Sequence, residues 1–206
     1  MTIDELEPYL DEDSEAIIHD VRLADGVLKI SLRCDDWNSD GRLAFSIVCF
    51  DLATWTVTPG WVGCVHQTDD DPVLWEHNED ILSLYFSSAP VNPFELSGRL
   101  REALSALYHP SSPPSGSLHA SAEILAGGSG MLASGPKSLI EPLRLVAEPF
   151  VSCSVVPGRT PVGGYKLLDF GRCYVVCRSF ELVFINETAE LAHAAERAQR
   201  DRSVDP

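Results

Sequence analysis

Residues 15–34 read EAIIHDVRLADGVLKISLRC. Ile18, Val21 and Leu23 lead into Asp25-Gly26. That dipeptide accepts the positive φ angles of a tight two-residue hairpin turn. On the far side Leu28, Ile30 and Leu32 alternate with Lys29, Ser31 and Arg33, the period of a strand with one face inward. The stretch therefore predicts an antiparallel hairpin. LAFSIVCFDL, WTVTPGWVGCV and ILSLYFSS follow with aromatic and β-branched residues and extend the strand reading.

The helices stand apart from this pattern. Asn92 is a good N-cap, Pro93 suits a first helical position, and Leu96, Leu100, Leu104 and Leu107 form one stripe. TIDELEPYL at residues 2–10 reads as an opening helix and DEDSE as a solvated link. KSLIEPLRLV reads as a helix interrupted by Pro142, and ETAELAHAAERAQRD as an Ala-rich closing helix. SLHASAEILA (117–126) reads as a strand, GGSGMLASGP (127–136) as a glycine-rich loop, and FVSCSVV as a strand. YKLLDF and CYVVCRSFELVFI read as a closing strand pair. No parallel βαβ rhythm appears, so the expected class is α+β, mainly antiparallel β-sheet with a few helices packed on it.

HPSSPPSGS, residues 109–117, marks a linker or long loop. The expected division is an acidic, Trp-rich α+β subdomain at 1–108 and a near-neutral one at 118–206, or a single domain over 1–200. Net charge is −16. Residues 1–108 hold 21 Asp and Glu against 6 Lys and Arg, and the remainder hold 10 against 9. An acidic surface repels nucleic acid and anionic membrane and attracts a basic protein. No apolar run approaches the roughly 18 residues of a membrane span, and no secretory signal opens the sequence, so a cytoplasmic protein is expected. The six cysteines lack a C-x-x-C pair and are read as packed free thiols.

Four stretches invite a chemical reading. DWNSDG (36–41) matches the opening of an EF-hand calcium loop. Ile47 stands where the loop needs a bidentate Glu, however, and both flanks alternate like strands, so a turn is expected. HQTDDDPVLWEHNED (66–80) offers Asp69, Asp70, Asp71, Glu76, His77, Glu79 and Asp80 without the spacing of a zinc or helical His pair. GGSGMLASGPKS (127–138) comes within one residue of the P-loop pattern through Gly130, Gly135, Lys137 and Ser138, with Gly128 beside them. Pro136 breaks that match and removes an N–H from the phosphate side. Asp169-Phe170-Gly171 lacks every other kinase motif.

All four tryptophans, Trp37, Trp55, Trp61 and Trp75, fall within 39 residues of the acidic half. Aromatic anchors among carboxylates suit a surface for a basic partner. In type, an acidic strand-rich chain without catalytic motifs resembles the immunity and accessory proteins that neutralise secreted toxins. That resemblance implies stoichiometric occlusion of a basic site, and it assigns no residue. The expected function is thus non-enzymatic protein binding through Asp69, Asp70, Asp71, Trp75, Glu76 and Glu79. The alternative is a small-ligand or phosphate-binding protein, or an enzyme, using Gly128, Gly130, Gly135, Lys137 and Ser138. No cofactor and no metal are expected.

Overall fold

Asp25 and Gly26 turn with φ of 52° and 77°. They join strand β1 (Ile17–Ala24) to β2 (Val27–Asp36), which pair antiparallel down to Ala24 opposite Val27. The computed structural model describes residue 3 and residues 16–36, 41–107 and 116–185. The expected opening helix, the acidic link after it, the tip of DWNSDG, most of the 109–117 linker and the Ala-rich closing helix lie outside the described residues.

The inward set on β2 is the one the alternation names. Leu28, Ile30 and Leu32 are fully buried. Each such side chain contributes about 1.5–3 kcal/mol over leaving it in water. Strand β3 (Gly41–Trp55) continues the sheet, paired with β2 from Asp36–Gly41 to Leu28–Cys49. The DWNSDG stretch therefore connects two antiparallel strands, whereas an EF-hand loop requires flanking helices. On the opposite face Ser31 and Ser46 are buried and meet across the pair, Oγ to Oγ at 3.3 Å. Strand β4 (Gly60–Trp61) borders β1, and β5 (His66–Thr68) lies at the other edge. Between them, β10 (Lys166–Asp169) and β11 (Tyr174–Ile185) complete the seven-stranded order β4-β1-β2-β3-β11-β10-β5. The β3–β11 register shifts at Ala53, between Thr54 opposite Val176 and Leu52 opposite Cys177, and Asp51 two residues away takes a φ of 51°.

The chain divides into two compact units, residues 1–68 with 166–206, and residues 69–165. The division falls at 68/69 and 165/166, not at the expected 109–117. Its cause is the β3–β11 ladder, which returns the last described strand to the first sheet from more than 100 residues away.

The second unit is a four-stranded antiparallel sheet in the order β7-β8-β6-β9. Its strands are β6 (Ile81–Phe86), β7 (Ser117–Leu118), β8 (Gly130–Pro136) and β9 (Cys153–Pro157). Besides the one-turn helix α1 (Trp75–Asn78), it carries α2 (Pro93–Ala106), α3 (Ala122–Ala126) and α4 (Lys137–Ala147). Asn92 caps α2 by accepting from the Glu95 N–H at 3.2 Å, and Leu96 and Leu100 pack with Leu84, Leu132, Ile140 and Leu143.

Three local expectations are corrected here. The strand expected over 117–126 stops after Leu118, because Ser121 accepts from the Ile124 N–H and starts α3. The expected glycine loop 127–136 is largely strand β8. It bonds to β6 on one side and β7 on the other, and its small residues keep Leu132, Ala133 and Gly135 buried. Helix α4 runs through Pro142 without interruption. The class stands as expected: α+β with antiparallel sheets.

Candidate functional site

Residues 69–80 hold six carboxylates and no Lys or Arg. The segment is fixed at several points. Asp71 accepts from the Val73 N–H at 2.9 Å and caps the 3-10 turn Pro72–Leu74. Leu74 is fully buried and pins that turn to the unit. Asn78 then clamps the backbone of Tyr165 from both sides, donating to its carbonyl and accepting from its N–H at 2.9 Å each. The His77 ring packs on the Tyr165 ring with centroids 5.3 Å apart. Its Nε2 lies 3.3 Å from Glu76 Oε1 at an angle that makes no hydrogen bond.

Glu79 closes the segment. One oxygen accepts from the Ser138 backbone N–H at 2.7 Å, the other from the Ser138 hydroxyl at 2.6 Å. The preceding cap residue, Pro136, gives α4 no side-chain cap. Glu79 therefore supplies the negative charge that a helix start attracts. The Lys137 N–H is also spoken for, by the Asp80 carbonyl at 3.0 Å.

The two sets of residues read from sequence thus meet at one point. Of the acidic set, Asp71 and Glu79 are held inward by hydrogen bonds, Trp75 is half-buried, and Asp69 and Asp70 are exposed, as is Asp80. Of the glycine set, Gly128 turns behind α3 with a φ of 81°, Gly130 and Gly135 lie in β8, and Lys137 and Ser138 start α4. An anion at that start would have to displace Glu79.

Among the described residues, no three His, Cys, Asp or Glu gather to hold a metal. The thiols are poorly placed for nucleophilic work. Burial pushes Cys64, Cys153 and Cys173 up from the ordinary thiol value of 9.0, away from the thiolate that reacts. Cys49, hydrogen-bonded to Cys177 and buried, moves up further. Cys177 accepts that bond and is lowered by it, but it has no exposed surface from which to react. His119 Nε2 and Ser117 Oγ stand 3.1 Å apart, the spacing of a base and its nucleophile. Ser117 sits on a two-residue edge strand and His119 just past its end, and among the described residues nothing orients the second ring nitrogen.

Outside these sets, a groove of about 370 Å³ lies where the last turns of α2 and α4 come together. No sequence motif marks it, because it depends on two helix ends 41 residues apart. The sequence matches no protein-family model. No curated protein and no solved structure matches it either. No described helix is long and apolar enough to cross a membrane.

Proposed function

We propose that the chain is a non-enzymatic protein-binding module whose acidic segment 69–80 docks on a basic partner, in the manner of an immunity or accessory protein. The observation that carries this reading is the density of carboxylates on a pre-organised backbone. Six fall within twelve residues, and buried Leu74, the Asn78–Tyr165 clamp and the Glu79–Ser138 cap hold their segment in place. A surface fixed before binding loses little conformational freedom on association. Exposed Asp69, Asp70 and Asp80 set the approach of the partner, since charge at the rim of an interface acts mainly on the association rate. Asp71 and Glu79 hold the segment in shape.

The test is a parallel pull-down from the native host with wild type and an Asp69→Lys/Asp70→Lys variant, washed at low and then high salt. The expected result is one basic protein in stoichiometric amount on the wild type, released by salt and much reduced on the variant. Equal capture by both forms, capture of an acidic protein, or no capture at all would overturn the reading.

A further inference from the structure

The groove at the ends of α2 and α4 has an apolar floor and a negative setting. Its α2 wall is Ala103 and Ala106, with Arg99 and Glu102 on the rim. Its other wall is the last turn of α4, Leu145 and Val146, closed by Phe150. Leu145 is 61% exposed, unusually open for a leucine beside a ready-made cleft.

Three features of its electrostatics point the same way. The Arg99 guanidinium is already engaged, 3.4 Å from Glu95 and 5.9 Å from the centre of the Phe150 ring. Among the described residues nothing pairs with Glu102, so the uncompensated rim charge is negative. Two helix C-termini also converge on the groove, and each carries partial negative charge on its last carbonyls. On α4 those carbonyls are short of donors. Pro149, which follows the helix, has no N–H to return to Leu145, and Phe150 and Val151 both donate to Ala147, at 2.9 and 3.1 Å.

An apolar cleft edged by a free carboxylate and open carbonyls suits a hydrophobic group that carries a cation. We infer that this groove receives one apolar side chain of the partner protein with an adjacent ammonium or guanidinium, the cation reaching Glu102 and the α4 carbonyls. The inference rests on the basic partner proposed above and deepens it by adding an anchor to the acidic segment. Helix α4 links the two places: Ser138 at its start touches Glu79, and Leu145 and Val146 in its last turn line the groove about 11 Å along the helix axis. A single protein partner spans that distance, with charge steering at one end and an inserted side chain setting the lifetime at the other.

The probe is phenethylammonium, a ring with a cation, set against 3-phenylpropanoate, the same ring with an anion. Binding is followed by amide chemical shifts in the full chain. The expected result is roughly millimolar binding of the cation, as its few atoms allow. Shifts should centre on Ala103, Ala106 and Val146, with several-fold weakening in Glu102→Gln and loss in Ala106→Arg. Equal or tighter binding of the anion overturns the inference. So does micromolar binding of the amine, which would mark a small-molecule site. Absence of shifts in the groove overturns it as well. With a captured partner in hand, Ala106→Arg should raise the dissociation rate at least tenfold. If Ala106→Arg weakens that complex while Asp69→Lys/Asp70→Lys does not, the groove stands and the acidic-segment reading fails. The reverse result removes the groove alone.

Discussion

Replacing Glu79 by alanine should cost the protein about 2–3 kcal/mol of stability. The carboxylate accepts two short hydrogen bonds from Ser138, one from the backbone and one from the hydroxyl. Hydrogen bonds to a charged group are worth about 1.5–3 kcal/mol each. Glu79 is partly open to water, which will replace some of that, and the two bonds share one carboxylate charge, so the sum is an upper bound. Loss of negative charge at the α4 start adds about 0.3–1 kcal/mol. Ser138→Ala keeps the backbone bond and should cost about 1 kcal/mol. Because the two residues touch, the double variant should be less destabilised than the singles summed, by about 1 kcal/mol. The assay is urea unfolding followed by far-UV circular dichroism on all four proteins, with thermal melts in parallel. For a chain of this size the Glu79→Ala melting point should fall by roughly 5–10 °C. A loss under about 0.5 kcal/mol, or strict additivity in the cycle, would refute the view that Glu79 is the cap of α4. The same variant should leave the partner's association rate nearly unchanged, since its oxygens are committed inside the protein.

Ser31→Ala alone leaves Ser46 buried without its partner and should cost about 1–3 kcal/mol. The Ser31→Ala/Ser46→Ala protein should recover part of that loss in the same urea assay. Gly158→Ala places a Cβ 2.8 Å from the Ile81 carbonyl oxygen, a backbone atom that cannot swing away, and should cost about 1–3 kcal/mol by thermal melt. Cys64, Cys153 and Cys173 are raised above 9.0 by burial, so fewer of them are thiolate at pH 8. Their alkylation in the folded protein should be slower than that of a free thiol and should climb with pH beyond 9. By linkage the neutral thiols favour the folded state fully below pH 9, and that contribution is lost as pH rises past it, which a melt series from pH 7 to 10 reads directly.

What the sequence revealed and what it hid separate along one physical line. Asp25-Gly26, Asn92-Pro93 and the alternation of Leu28, Ile30 and Leu32 state their structure within a few residues, and the protein obeys them. GGSGMLASGP reads locally as a loop because glycine is flexible. It becomes β8 because β6 and β7 lie on either side and satisfy its backbone. The start of α3 was masked by an Ala- and Ser-rich run in which Ser121 is one serine among several. The candidate site shows the same limit. Asp69 and Asp70 were legible as exposed charge. The inward commitment of Glu79 depends on Ser138, 59 residues on, and no spacing rule spans that interval. The groove needs two helix ends to meet, and the position of the unit boundaries needs β11 to find β3.

That last pairing sets the order in which this protein can be made. Strand β3 ends at Trp55, but its neighbour β11 is complete only at Ile185, and the whole of the second unit is made in between. While residues 69–185 are being synthesised, β3 presents an open edge. At about 5–20 residues per second that interval is roughly 6–23 seconds. The unit at 69–165 emerges whole during the wait and is free to fold first. The sheet that begins the chain is thus the last to be finished, and its exposed edge in the interim is where a chaperone, or a second nascent copy, would find it.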